Sequence, residues 1–431
     1  MVSTPSYGMN DAYKVAISAN LGWGFELYDL LTYIYAAPYI APLFFPSTSY
    51  IASLLETLLV LVLGYFARPI GAIILGHYGD KLGRKTTWLV SLLGMGLATI
   101  LIGFLPTYAV IGIAATALLV TLRVAQGIFL AGEWAGGMTI TVEFAPPNKR
   151  GFLGGISNAG AALASIFAAA ALALTAVFAP TREAMVSYGW RILFWFGIVP
   201  LMIALFVRWR IGESLIWLTK AKPKVERIPA ATVFKKYWQV VIIATLVIIG
   251  EAFIYYSTIG YLGTLLPLLK YSSIAVLYAS LATGLAWLIL GPFFGLLSDA
   301  LKTRKKLLIA YYAAAAITIY PIMLLFTLHS ITYLILASIL LGAVFSSQYS
   351  VLPAWLAEMI ETKVRYSGIG FIINTGVAIS SFAPFISTYL LATIGPTYGE
   401  TLAISLVGII GAVVALIFVS FSRDRAGEPL E

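Results

Sequence analysis

The chain reads as an all-α membrane protein: twelve transmembrane helices in two pseudo-symmetric six-helix bundles. Three observations predict this. Its 431 residues are 61% hydrophobic and only 10% charged, whereas soluble domains carry about a quarter charged residues. The apolar residues fall in continuous runs of about twenty, the length of a helix that crosses the hydrocarbon core, rather than in the alternating pattern of a barrel. Finally, Gly76-His77-Tyr78-Gly79-Asp80-Lys81-Leu82-Gly83-Arg84-Lys85 has a weaker copy 219 residues on, starting at Gly295 and containing Asp299, Lys302, Arg304 and Lys305. Glycines allow a sharp reversal and cations hold such a loop at a lipid surface.

Along the chain, the first span (13–40) carries two acids, Glu26 and Asp29, which a cleavable leader would not tolerate. The second (50–78) contains Arg68-Pro69 and ends in the loop motif; the third (87–106) follows it directly. The fourth (108–135) carries Arg123 near its middle, the fifth and sixth occupy 152–179 and 190–209, and a basic polar stretch at 210–236 is the natural hinge. The seventh (237–264) carries Glu251, and the eighth (273–298) runs into the second loop copy. The last four are 306–328, 330–357, 367–394 and 400–421. The expected units are therefore a first bundle at 1–209, a linker at 210–236 and a second bundle at 237–431. A second register supports duplication: Glu143 and Arg150 recur as Glu358 and Arg365, offset by 215 residues.

The net charge of +9 is scattered between apolar runs and so marks topology rather than nucleic-acid binding. With the N-terminus placed in the cytoplasm, 22 of the 27 Lys and Arg residues fall on the cytoplasmic side, which puts both termini there and the chain in the plasma membrane. The chain has no cysteine, so disulfides and thiolate sites are excluded. His77 and His329 are isolated, and neither a metal site nor a nucleophile-base constellation is visible. No Gly-Lys dipeptide occurs, which removes the phosphate loop of an ATP-driven pump. The chain is not expected to be an enzyme, to need a cofactor or to bind nucleic acid; it is expected to work as a monomer.

Ionisable groups within lipid-spanning helices are costly and mark function. Glu26 and Asp29 are three residues apart on one helix face, and Arg123 lies at a matching depth. Two carboxylates beside one guanidinium form a site whose charge can change by one proton, so this trio is the candidate coupling site. Arg68 has two readings, contact with an anion or, the one preferred here, satisfaction of carbonyls freed by Pro69. Glu251, Tyr255 and Tyr256 give the seventh span a polar face, and Gln126, Gln348 and Asn374 join Arg123 as candidate substrate contacts. Glu133, ten residues beyond Arg123, is expected near the loop face, within reach of Arg84 or Arg150. With Asp80, Glu143, Asp299, Glu358 and Arg365 it completes a candidate gate of reversible charge pairs.

These segments resemble the major facilitator superfamily and, within it, the metabolite:proton symporter family, whose members carry α-ketoglutarate, citrate, shikimate, proline and betaine. The similarity rests on Glu26-Leu-Tyr28-Asp29 with Phe44-Phe45-Pro46, on Ala67-Arg68-Pro69-Ile-Gly71 through the first loop motif, and on Arg123-Val-Ala-Gln126-Gly127 through Gly132-Glu133 and Gly136. Gly189-Trp190-Arg191 and Val364-Arg365-Tyr366-Ser367-Gly368 extend it. The resemblance implies alternating access by rocking of the halves, a cytoplasmic gate of Asp80, Arg84, Glu133, Glu143 and Arg150, and proton coupling through Arg123 and the first-span acids. In the similar sugar porters an acid matching Asp29 pairs with an arginine matching Arg123. Departures are Ala131 for a glycine, Ser214-Leu215 for Ser/Thr-Pro, and Ala300 for a basic residue. The expected function is proton-coupled symport of a small carboxylate or zwitterionic metabolite. A sugar or polyol carrier is the alternative, and a transporter-like sensor the minor one.

Overall fold

The computed structural model describes residues 8–47, 49–221 and 229–430. Twelve spans run back and forth through the bundle. The first six are α1 (Met9–Phe44), α2 (Tyr50–Lys81), α3 (Arg84–Ile102), α4 (Ile113–Phe144), α5 in two pieces (Arg150–Ser157 and Ala161–Phe178) and α6 (Arg182–Trp209). The second six are α7 (Trp238–Leu268), α8 (Ser273–Ala300), α9 (Lys305–Leu328), α10 (Ile331–Met359), α11 (Thr362–Thr393) and α12 (Glu400–Ser420). Ten of these are long and apolar enough to cross a membrane on length and composition alone. The other two are α1, diluted by tyrosines, prolines and three acids, and α5, broken at residues 158–160.

The break in α5 is compensated locally. Asn20 of α1 donates its side-chain amide to the Ile156 carbonyl at 2.7 Å, and Asn158 donates to the Tyr349 carbonyl of α10 at 3.0 Å. The loop motif between α2 and α3 turns at Gly83, whose φ of 122° suits glycine alone. Within each bundle the helices bury small and aliphatic faces, while Leu, Ile and Phe side chains such as Leu59, Ile70, Ile289 and Phe385 lie exposed on the outside, as a lipid-facing surface requires.

The expected hinge is not a free loop where it is described. The Glu213 carboxylate accepts from the backbone N–H of Arg84 and Lys85 at 3.1 and 3.2 Å, capping α3, and the Trp217 indole donates to the Asp80 carbonyl at 2.9 Å. Burial pushes the Glu213 carboxyl above its ordinary range, and the backbone N–H groups of Ser214 and Lys85 pull it back. Residues 222–228 of that linker, with Lys222, Lys224 and Arg227, lie outside the described residues. The tail after α12 repeats the arrangement in the second half, where Asp424 accepts from the backbone N–H of Arg304 at 3.0 Å.

The halves are pressed together on the face that carries the basic loops. There α5 crosses α8 so closely that a Cβ on Gly155 would sit 2.5 Å from the Gly291 carbonyl oxygen. A larger residue at this crossing must therefore wedge the halves apart. Because the chain has no native cysteine, a single Cys placed at buried Met138 reports on closure. Gly155→Leu is expected to raise its alkylation rate from the basic face about tenfold, a bias of about 1.4 kcal/mol toward the open form. An unchanged rate would mean that this crossing does not hold the face shut.

Candidate functional site

Between the halves lies a cavity lined from α1, α2 and α4 on one side and from α7, α8, α10 and α11 on the other. Its charged lining residues are Glu26, Asp29, Arg68, Arg123 and Glu251. Three of the residues placed together by the sequence reading, Glu26, Asp29 and Arg123, do meet here, but not as one trio.

Asp29 and Arg123 form one ion pair, with Nη1 2.9 Å from Oδ2. The pair is closed into a ring: Arg123 Nη1 donates to Gln126 Oε1 at 2.7 Å, Gln126 Nε2 donates to Thr99 Oγ1 at 2.6 Å, and Thr99 Oγ1 donates to Asp29 Oδ1 at 3.0 Å. The Arg123 guanidinium also lies over the Tyr33 ring, 3.7 Å from its centre. Its Nε and Nη2 have no hydrogen-bond partner among the described residues. Glu26 turns instead to α2, where Arg68 Nη1 donates to Oε1 at 2.7 Å. Three residues along a helix is about 60° short of a full turn, so the two acids address different neighbours.

Arg68 therefore lines the cavity rather than capping proline-freed carbonyls. Its Nε donates to Asn374 Oδ1 of α11 at 2.8 Å, a bond between the halves, and its Nη2 is unpartnered. Asn374 in turn donates to the carbonyls of Ala131 and Gly370 at 3.1 and 2.7 Å, so it pins the cavity floor and is not itself a lining residue. Gln348 is likewise buried outside the lining and donates to the Val344 carbonyl of its own helix. Both corrections have one cause: polarity in a sequence does not reveal which way a side chain faces.

The second-half wall is aromatic. Glu251, Tyr255 and Tyr256 all line the cavity beside Trp287, Phe345 and Tyr349. Trp23 of α1 reaches across to Trp287, with ring centres 5.0 Å apart, and to Tyr349 at 5.4 Å. Trp134 stacks on Tyr349 at 5.6 Å. These contacts roof the closed layer that separates the cavity from the basic face.

That layer ends in two matching charge clusters. In the first, Arg84 pairs with Asp80 at 2.6 Å and lies 3.6 Å from Glu143, and Glu143 pairs across the halves with Arg365 at 2.9 Å. Asp80 also accepts from the backbone N–H of Tyr366 and Ser367 at the start of α11, at 3.2 and 2.9 Å. In the second, Arg304 pairs with Asp299 at 2.7 Å and with Glu358 at 3.2 Å, and Glu358 pairs across the halves with Arg150 at 3.2 Å. Asp299 accepts from the backbone N–H of Gly151 and Phe152 at the start of α5, at 2.9 and 2.8 Å. Each loop-motif aspartate thus caps a helix of the opposite bundle, where the dipole favours negative charge. The Arg150 guanidinium further donates to the Glu428 carbonyl of the tail at 2.6 Å. Arg304, counted in the sequence among loop cations, belongs to this cluster; the signal was its place beside Asp299 in the second loop copy.

Glu133 does not join the gate. It forms a two-bond pair with Arg208 of its own bundle, both at 2.7 Å, beneath the Trp88 ring. The helix continues well past Glu133 to Phe144, so the residue is still deep inside the bundle. Gly22 supplies the room, since a Cβ there would run into this pair.

Twelve spans around a central cavity, with paired charges closing one face, are the architecture of a carrier. The chain belongs to the Major Facilitator Superfamily, whose family model matches residues 15–320. It is 32% identical over 404 residues to the inner membrane metabolite transport protein YhjE of Escherichia coli K12, covering 90% of each chain. It is 29% identical over 414 residues to a Staphylococcus haemolyticus protein described as a candidate proline/betaine transporter, covering 95% of this chain and 88% of the other. Among solved structures, the proton:xylose symporter XylE bound to 6-bromo-6-deoxy-D-glucose superposes with a TM-score of 0.76 over 98% of both chains, at 15% identity, a likeness of fold. The protein is thus a multi-pass membrane transporter of small solutes and not an enzyme.

Breaking the Glu133–Arg208 pair from one side leaves a charge buried without compensation. Arg208→Met is expected to destabilise the protein by about 3–5 kcal/mol, seen as a fall in melting temperature. The double variant with Glu133→Gln should recover part of that loss. A double variant no more stable than Arg208→Met would show that packing over Trp88, not charge pairing, is what the arginine supplies.

Proposed function

We propose that the protein is a proton-coupled symporter of a small carboxylate or zwitterionic metabolite, working by alternating access as a single chain in the plasma membrane. In this reading the basic face and both termini are cytoplasmic, and the described state is closed toward the cytoplasm. The observation that carries it is the Asp29–Arg123 pair, buried at the cavity wall and tied into a ring by Gln126 and Thr99. A proton on Asp29 removes the negative partner and releases the guanidinium, whose spare donors can then hold a substrate carboxylate. Glu26 and Arg68 offer a second pair of the same kind 2.7 Å apart. Cancelling charge inside the cavity lowers the cost of closing it in a low dielectric, and closure on one side lets the inter-half pairs on the other separate.

The gate in this reading is Asp80, Arg84, Glu143 and Arg365 with Asp299, Arg304, Glu358 and Arg150. The names of the relatives favour metabolites of this class. The sugar alternative draws on Gln126, Gln348, Asn374 and tyrosines for hydrogen bonds, but Asn374 is engaged with the Ala131 and Gly370 carbonyls and Gln348 lies outside the cavity lining, which weakens it.

In proteoliposomes, Asp29→Asn is expected to retain substrate exchange at equal concentrations on both sides yet lose accumulation driven by a pH gradient. Accumulation that survives in the variant would remove Asp29 from coupling.

A further inference from the structure

Glu251 sits on α7 at the cavity wall, 1% exposed, and its Oε1 has no hydrogen-bond partner among the described residues. Both guanidiniums of the cavity are already engaged, Arg68 by Glu26 at 2.7 Å and Arg123 by Asp29 at 2.9 Å. Among the described residues Glu251 has no such counterpart: its electrostatic neighbours are the phenols of Tyr255, Tyr312 and Tyr349. A carboxylate withdrawn from water in such surroundings calls for a cation or a proton.

The walls around it suit a cation and repel an anion. Trp287 lies 6.3 Å from Tyr255, 4.6 Å from Phe345 and 5.3 Å from Tyr349, measured between ring centres. The faces of such rings are electron-rich and attract ammonium groups, above all when water is excluded. Trp23 joins this wall from the other half, so a group bound here touches both bundles.

We propose that Glu251 and the aromatic wall seat a positively charged nitrogen of the transported solute, which makes the substrate a compact zwitterion whose carboxylate meets the spare donors of Arg68 or Arg123. This deepens, and rests on, the reading of the cavity as the transport site. Charge balance supports it. Three lining carboxylates against two guanidiniums leave the ionised cavity at a formal charge of −1. A simple carboxylate would deepen that to −2, whereas a zwitterion leaves it unchanged and a single proton then brings the closed cavity to neutrality.

The test uses pairs of solutes with the same shape and different charge: L-proline against cyclopentanecarboxylate, and trimethylglycine against 3,3-dimethylbutanoate. Binding to the purified full chain is read by melting temperature and by fluorescence of Trp23, Trp134 and Trp287 in the cavity wall. The zwitterion of at least one pair is expected to bind about tenfold or more tightly than its carbon isostere. Glu251→Gln should abolish that preference while leaving the isostere's affinity unchanged or improved, and Glu251→Asp should restore part of it. The wild-type ratio stands as a test even where a variant folds poorly. Carboxylates binding as well as zwitterions, or a preference that persists in Glu251→Gln, would overturn the assignment while sparing the transport reading. No binding by either series would bring down the assignment together with the transport site on which it rests.

Discussion

A guanidinium inside a lipid-embedded bundle has to find a carboxylate, because neither water nor bulk salt is there to compensate it. Seven buried arginines obey this rule: Arg68, Arg84, Arg123, Arg150, Arg208, Arg304 and Arg365 each lie against an acid. What differs is whether the partner belongs to the same bundle. Pairs within a bundle, such as Glu133–Arg208, hold the helices of that bundle in place and can stay formed throughout a cycle. Pairs between bundles, such as Glu143–Arg365 and Arg150–Glu358, join the halves at the basic face, and the proposed cycle requires them to break. A lock of this kind can open because water entering the gap takes over the role of the lost partner.

Duplication makes the lock double. Each loop motif contributes an aspartate that caps the first turn of a helix in the other half, and an arginine that gathers a second acid from its own half. The segments that follow α6 and α12 then cap the helices that follow the two loop motifs, through Glu213 and Asp424. Linker and tail are thereby structural counterparts, and both rest on the gate rather than beside it. The backbones of the two halves cross closely at Gly155 and Gly291, beside these charges.

The two walls of the cavity are unlike each other. The first half holds two ion pairs and a ring of hydrogen bonds, a chemistry suited to exchanging a proton for a carboxylate. In the second half Glu251 sits among aromatic faces, its Oε1 without a hydrogen-bond partner among the described residues. In the proposed reading, a solute that spans the gap satisfies both and draws the walls together. Binding and closure are then one event, which is what coupling of occupancy to reorientation requires.

The spans, their duplication and the identity of the charged residues inside them were legible in the sequence, because hydrophobic length and costly intramembrane charge leave one-dimensional marks. Depth alone brought Glu26, Asp29 and Arg123 to one level, the pairing of Asp29 with Arg123 was implied only by the resemblance to the sugar porters, and the acids of the basic face were marked by their repeated offsets. The partner of each charge was not. Arg68 turned from a proline's neighbour into a cavity residue, Arg208 proved to be the mate of Glu133, and Gln348 and Asn374 lay outside the cavity lining, since rotation about a helix axis and contacts between distant helices set these choices. Composition and periodicity fix how many helices cross and how deep each charge lies; only the packed bundle decides which charge meets which, because that depends on angles that no linear spacing encodes.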